Sequence, residues 1–138
     1  MGLVTAKEVA KAIRIDKYGV LGTFMGWFLM KVTRLSSIND FYKDHQHLEG
    51  TAFLDAILEH YQIKFEIPEE DFKRLPKEGA YITISNHPLG GIDGVLLLKL
   101  MLQHREDFKI IANFLLYRIE PMAPYIMPVN PFEGHKDA

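Results

Sequence analysis

The chain has 138 residues, of which 48% are hydrophobic, and a formal net charge of −2. A chain of this size folds as one ordinary domain and buries about two-thirds of the surface that its unfolded form exposes. It contains no cysteine, which excludes disulfides, thiolate metal ligands and cysteine nucleophiles within it and fits a reducing compartment.

Charge is distributed unevenly along the sequence. Residues 1–35 hold six basic and two acidic residues, a net charge of +4, whereas the remaining 103 residues hold ten basic and sixteen acidic residues, a net charge of −6. We therefore expect any attraction to anionic surfaces to come from the N-terminal segment. The first residues lack the order of regions that defines a secretory signal peptide, which predicts an untargeted, cytoplasmic start.

Residues 1–61 are predicted to form a helical N-terminal region. Thr5 followed by Glu8 matches a capping box, in which the hydroxyl and the carboxylate each satisfy a backbone N–H at the start of a helix. That first helix should end near Ile15. Asp16 is then the expected cap of a second helix over the apolar run YGVLGTFMGWFLM.

The apolar run at 18–30 allows three interpretations. Thirteen helical residues reach only ~20 Å, short of the ~30 Å hydrocarbon core, so the run should not span a bilayer. It fits a helix buried in protein, where Gly22 and Gly26 admit a close neighbour. It also fits an interfacial helix, with Trp27 in the acyl boundary and the flanking cations at lipid head groups. A GxxxG dimer contact inside a membrane is the third alternative.

Residues 36–61 match one longer amphipathic helix, with Ser37 or Asn39 as its cap. Its histidines are not spaced as metal ligands, because His45 and His47 are two residues apart and point in different directions. We interpret these histidines as solvated surface residues.

Residues 62–138 are predicted to form part of an α/β domain, a mixed sheet layered with helices. Alternating or β-branched runs predict four strands, and apolar runs between them predict two helices. The predicted strands are 63–67, 80–85, 108–112 and 125–130, and the predicted helices are 94–105 and 114–120.

The run ISNHPLGGIDG at 84–94 joins a predicted strand to a predicted helix, the place where α/β sheets usually carry their chemistry. His87 could face Asp93 across this loop, and an imidazole oriented by a carboxylate can take a proton from a hydroxyl. Two other interpretations stay open. Asn86 and Asp93 could simply cap the turn and the helix, or the glycines could bind phosphate, although the Walker lysine and the GxGxxG order are missing.

The run NHPLGGIDG resembles the first motif of the glycerolipid acyltransferases, the family that includes the 1-acylglycerol-3-phosphate acyltransferases, and more specifically a bacterial, hemolysin-like branch. The similarity extends to LPKEGAYITISNH and, more loosely, to the N-terminal helices and FLLYRIEPMAPYIMPVN. It implies that His87 deprotonates an acceptor hydroxyl, that this hydroxyl attacks the thioester of acyl-CoA or acyl carrier protein, and that Asp93 orients the imidazole ring. It also implies that the N-terminal helices help the protein sit on membranes.

The sequence departs from the family pattern at two places. Five residues separate His87 from Asp93, one more than the usual spacing, and Asn130 and Pro131 stand where the second motif normally offers an arginine. The third motif, a Pro-Glu-Gly-Thr-like loop, should lie beyond Ala138, and the run PFEG at 131–134 comes too soon to be equated with it. We therefore expect an incomplete acyltransferase domain.

Together these features predict an acyltransferase that moves a fatty acyl group to the hydroxyl of a lysophospholipid or related lipid at the inner face of the cell membrane. The predicted catalytic residues are His87 and Asp93. The predicted substrate-binding residues are Asn86, Gly90, Gly91 and Asn130. We expect no metal, no cofactor other than the acyl donor, and no nucleic acid partner. The alternative is a non-catalytic lipid- or membrane-binding module, or an inactive fragment, with the same fold.

Overall fold

The computed structural model describes residues 3–33 and 35–130. The chain divides into two compact units between His47 and Leu48. The predicted functional boundary between residues 1–61 and 62–138 stays a prediction.

The first unit consists of helices. It contains α1 (Ala6–Ala12), a 3₁₀ turn (Asp16–Tyr18), α2 (Val20–Val32) and α3 (Leu35–His45). The predicted capping box of α1 is confirmed: Thr5 Oγ1 accepts the Glu8 N–H at 3.3 Å, and the Thr5 N–H donates to Glu8 Oε2 at 2.9 Å. The predicted cap of the second helix was wrong. Asp16 begins the 3₁₀ turn, and Gly19, with a positive φ of 59°, precedes α2.

Helix α2 buries only a narrow stripe, formed by Gly22, Gly26 and Met30. A Cβ on Gly26 would overlap the carbonyl oxygen of Ala6 and would lie 3.3 Å from the Cβ of Ala10, so the backbones of α1 and α2 approach closely here. The close neighbour expected at Gly22 and Gly26 is thus present, whereas the other faces of α2 are largely exposed among the described residues. The exposed large side chains of α2 are those of Val20, Leu21, Phe24, Met25, Trp27, Phe28 and Val32.

Asn39 is a buried residue within α3. The prediction that it caps the helix was therefore wrong. Its Oδ1 accepts the Val4 N–H at 3.1 Å, and its Nδ2 donates to the Val4 carbonyl oxygen at 2.7 Å. The side-chain amide therefore pairs with the backbone of Val4, just before α1, and connects α3 to the start of the described chain.

The second unit combines helices with a small sheet. It contains α4 (Gly50–His60), α5 (Glu69–Lys73), α6 (Gly91–His104), β1 (Ile110–Asn113), 3₁₀ turns at Phe114–Arg118 and Ala123–Tyr125, and β2 (Ile126–Val129). The single helix predicted over 36–61 was wrong, because the chain leaves the helix at 46–49 before α4. Gly50 has a positive φ of 53°, and a Cβ there would lie 2.8 Å from the Tyr125 hydroxyl oxygen.

The described sheet is a parallel pair, in which Ile110 is the register partner of Ile126 and Asn113 that of Val129. Within the described residues, the segments 63–67 and 80–85 belong to no ladder, so the strands predicted there were wrong. Alternation of apolar residues favours extended backbone, but a strand also needs a hydrogen-bonding neighbour. The predicted α/β class, with a helical N-terminal region, is confirmed.

The core of the second unit lies largely between α4 and α6. Each helix buries residues spaced three or four apart, the pattern of an amphipathic helix. The core residues are Phe53, Leu54 and Leu58 of α4, Val95, Leu98, Met101 and Leu102 of α6, and Met122 and Ile126 near β2. This packing fixes α6 and thereby the position of the loop that precedes it.

Candidate active site

The loop 86–90 turns sharply before α6. The His87 carbonyl accepts the Gly90 N–H at 3.4 Å, and the Gly90 carbonyl accepts the Asp93 N–H at 3.1 Å. Gly90 precedes the helix with a φ of 66°, in the left-handed region that glycine enters at little cost. The helix thus begins at Gly91, three residues earlier than predicted, and Asp93 lies in its first turn instead of capping it.

His87 and Asp93 face each other across this turn. His87 Nδ1 lies 3.7 Å from Asp93 Oδ2, within ion-pair range for a protonated ring but beyond hydrogen-bonding distance. The imidazole is 61% exposed, whereas the carboxylate is 18% exposed. The same Oδ2 accepts the Leu89 N–H at 2.6 Å, so the backbone of the turn holds the carboxylate in place.

This arrangement leaves the other ring nitrogen of His87 available. No described residue hydrogen-bonds to Nε2, and the side chain projects into solvent. In the neutral tautomer with the hydrogen on Nδ1, that hydrogen would face the carboxylate and Nε2 would carry the lone pair that accepts a proton. The role of the pair as general base and orienting carboxylate stays a prediction.

The other predicted site residues occupy two places. Asn86 is exposed in the same loop, Gly91 is exposed as the first residue of α6, and a Cβ on Gly90 or Gly91 would meet nothing within 4 Å among the described residues. Asn130 instead directly follows β2, at the carboxyl end of the strand. Pro131 and the PFEG run lie outside the described residues. The substrate-binding roles of Asn86, Gly90, Gly91 and Asn130 stay predictions.

An apolar cleft adjoins the approach to the loop. Its volume is about 900 Å³, and it lies between the extended segment 79–85 and the start of β1. Its apolar lining includes Ile82, Ile84, Ile111 and Met127. Because Ser85 belongs to the lining and His87 follows two residues later, the cleft leads along the chain toward the candidate pair.

Three contacts, one in the loop, one along α6 and one at the end of that helix, were not anticipated from the sequence. The Leu89 N–H holds Asp93, Lys99 of α6 pairs with Asp55 of α4, and Arg105 binds the backbone before the loop. Lys99 interrupts an otherwise apolar helix, and this was a signal that its ammonium needs a partner. Its side chain is only 12% exposed. The partner itself could not be identified, since it lies in another helix.

In the part of the chain that the structure describes, no group of three or more histidine, aspartate or glutamate side chains is placed to bind a metal ion. A helix long and apolar enough to cross a membrane is likewise absent from residues 3–33 and 35–130.

The known proteins that the chain resembles are acyltransferases. A family model described as "Acyltransferase" matches residues 9–138. The chain is 32% identical over 129 residues to a lyso-glycine lipid O-acyltransferase of Bacteroides thetaiotaomicron, and 31% identical over 129 residues to a protein of the same name from Phocaeicola vulgatus. Each alignment covers 93% of this chain but only 47% and 46% of those proteins, so the chain spans about half their length.

No solved structure matches the chain. The family match nevertheless covers nearly the whole sequence, including the His-Asp loop that first suggested it. The chain belongs to the acyltransferase family.

Proposed function

We propose that the protein transfers a fatty acyl group from a thioester carrier, acyl-CoA or acyl carrier protein, to the hydroxyl of a lysolipid. The observation that carries this proposal is the His87–Asp93 pair, with Nδ1 facing the carboxylate at 3.7 Å and Nε2 directed away from it. Membership of the acyltransferase family supports the reaction class.

In the proposed reaction, Nε2 of His87 takes the proton of the acceptor hydroxyl as the oxygen attacks the thioester carbonyl carbon. The new C–O bond forms, the C–S bond breaks, and the thiolate leaves with the proton returned by His87. Asp93 keeps the Nδ1–H in place and stabilises the transient imidazolium. The Leu89 N–H in turn fixes the carboxylate. A thioester is already activated, so the side chains need only position and deprotonate the acceptor.

For the acceptor, we propose a lysolipid of the lyso-glycine class, with lysophospholipids as the alternative. Both relatives are named for a lyso-glycine lipid acceptor. We place the acceptor beside Asn86 and the glycine turn, where the open space at Gly90 and Gly91 gives a ligand access to the backbone. Asn130 is the proposed polar contact at the carboxyl end of β2.

For the acyl chain, we propose the apolar cleft beside segment 79–85. Ile82 and Ile84 are 90% and 95% exposed, and contact with a hydrocarbon chain would remove this surface from water. Leu89, which is also exposed, lies at the loop end of the same path.

We further propose that α2 holds the protein on the inner face of the cell membrane. Its outward surface is formed by large apolar side chains, including Phe24, Trp27 and Phe28. Lys31 lies 4.9 Å from the centre of the Trp27 ring, and Lys17 lies 5.1 Å from that of Tyr18. Cations next to aromatic rings fit the boundary between anionic head groups and acyl chains.

The decisive experiment measures acyl transfer by the full-length protein, with acyl-CoA or acyl carrier protein as donor and a lyso-glycine lipid or lysophosphatidic acid as acceptor. His87→Ala should lower the rate at least about a hundredfold, the usual contribution of a general base. His47→Ala is the matched control, because it removes an exposed histidine outside the loop.

Circular dichroism establishes that both variants are folded. Undiminished turnover in His87→Ala would rule out the proposed base. If the wild-type protein bound lipid without any turnover, the result would instead support a non-catalytic lipid-binding module.

A further inference from the structure

A second cluster of polar contacts lies at the far end of α6 from the candidate pair. Arg105, just after the helix, donates from Nη1 to the Gly79 carbonyl oxygen at 2.6 Å. Its Nε and Nη2 donate to the two carboxylate oxygens of Asp107 at 2.8 Å and 2.5 Å. The guanidinium carbon also lies 5.4 Å from the centre of the Tyr81 ring. One side chain thus holds residues 79–81 against the end of the helix.

The neighbouring residue strengthens this attachment. His104 Nε2 lies within hydrogen-bonding distance, 2.9 Å, of the Pro76 carbonyl oxygen, and the imidazole meets the Phe72 ring edge-on.

The hydrogen bond with Asp107 raises the pKa of Arg105, and the same bond lowers the pKa of Asp107. Both groups therefore stay charged near neutral pH, and paired charges make the stronger kind of hydrogen bond.

Between this attachment and the loop, the chain has little other support. Among the described residues, none forms a hydrogen bond with residues 82–86, and Ile82 and Ile84 project into solvent. The next hydrogen bonds lie in the turn before α6, where the His87 carbonyl accepts the Gly90 N–H at 3.4 Å and Asp93 Oδ2 accepts the Leu89 N–H at 2.6 Å. The segment is therefore attached to the same helix at both ends and is free in the middle.

The dimensions leave this segment little slack. Asp93 and Arg105 are twelve residues apart along the helix, which corresponds to about 18 Å. From Tyr81, whose ring Arg105 contacts, the six residues to His87 reach at most about 22 Å when fully extended. Because the two lengths are similar, the point at which the segment is attached near Tyr81 limits where His87 can lie relative to Asp93.

We propose that Arg105 is a positioning residue for His87: by holding the Gly79 carbonyl at the end of α6, it keeps the segment 80–87 extended and the imidazole beside Asp93. The inference rests on the proposed function of His87 as the base. Arg105 lies at the other end of α6, makes no contact with the His87–Asp93 pair and would act on it through the backbone.

The test compares variants of the full-length protein. Arg105→Ala removes all three hydrogen bonds, whereas Arg105→Lys keeps the charge and can restore the bond to Gly79 but not the paired contact with Asp107. Arg74→Ala is the matched control, since Arg74 also pairs with an aspartate, at 3.2 Å, but on the surface of α5. Hydrogen exchange at the Leu89 amide reports the geometry of the loop, and steady-state kinetics report its use.

We expect Arg105→Ala to accelerate exchange of the Leu89 amide and to lower kcat about tenfold with KM nearly unchanged, because misplacing a catalytic group slows the chemical step. Arg105→Lys should recover part of both losses, and Arg74→Ala should alter neither. In an Asp93→Asn background, Arg105→Ala should cost less than twofold, because both substitutions act on the same imidazole.

Other outcomes separate this inference from the proposed function. If Arg105→Ala left Leu89 exchange unchanged, or accelerated it without affecting kcat, Arg105 would not be a positioning residue, while His87 could still be the base. If the two substitutions were additive, the proposal would also fail. If the wild-type protein were inactive, the proposed function would be refuted. His87 would then have no catalytic role that its position could affect. If Arg105→Ala does not fold, Arg105→Lys supplies the same comparison.

Discussion

Gly22 and Gly26 of α2 lie where an added Cβ would overlap a backbone carbonyl oxygen, whereas Gly90, just before α6, and Gly91, its first residue, have open space around them. In the first pair, the missing side chains let α2 lie against the backbone of Ile15 at Gly22 and against that of Ala6, in α1, at Gly26. In the second pair, their absence leaves the backbone accessible, and only Gly90 has a positive φ. Two glycine pairs in one chain thus serve two purposes, packing in the helical unit and access in the loop.

Substitution of Gly26, a packing glycine, should have the largest effect on stability. Gly26→Ala places a methyl group against the Ala6 carbonyl, which belongs to the backbone and cannot rotate away. We expect the free energy of unfolding of the helical unit to fall by about 3 kcal/mol, the upper part of the range for overpacking. Chemical denaturation followed by fluorescence of Trp27, the single tryptophan, measures this change. A decrease below about 0.5 kcal/mol would mean that the helices separate easily and that the packing is not tight.

The second test concerns membrane binding by the exposed face of α2. The glycine stripe of this helix is buried, and its large apolar side chains are exposed. Phe28→Asp should weaken binding to vesicles with anionic lipid at least about tenfold, since burying a phenylalanine contributes about 1.5–3 kcal/mol. Trp27 fluorescence should shift to shorter wavelength when wild-type protein binds. Tyr61→Asp, at an exposed aromatic residue after α4, is the control. Equal binding by both variants would exclude α2 as the membrane contact.

The loop glycines should show the smallest effect on stability. Gly90→Ala forces a methyl-bearing residue to φ 66° and ψ −132°, a conformation that is open almost only to glycine, at a cost of about 2 kcal/mol. Relief of that strain should shift His87 away from Asp93 and slow acyl transfer. Gly91→Ala lies at an ordinary helical position with open space and should change stability by less than about 0.5 kcal/mol. Thermal denaturation and the transfer assay measure both, and similar results for the two variants would contradict the role given to Gly90.

The local features of the fold could be predicted, because their partners lie a few residues apart. The capping box joins Thr5 to Glu8, and the candidate pair joins His87 to Asp93 within one turn. Spacing and residue type determine such contacts. The sequence therefore predicted the loop, the pair and the helix that follows it.

Features that depend on distant partners were missed for a physical reason. The segment 80–85 has the composition of a strand, but composition does not supply a neighbouring strand. Gly50, which follows the break, lies beside the hydroxyl of the distant Tyr125, and the attachment at Arg105 involves a carbonyl 26 residues earlier. Periodicity contains no information about contacts of this length.

The exposed run Ala80–Tyr81–Ile82–Thr83–Ile84–Ser85 has one more consequence. It is extended, uncharged and free of proline, and its amide groups at 82–86 bond to no described residue. Short runs of this composition form steric zippers, in which identical copies stack into cross-β fibrils. The stretch that leads the chain to its candidate site therefore also has the composition of a fibril-forming segment, and a lipid or protein contact that covers Ile82 and Ile84 would protect the molecule from this association.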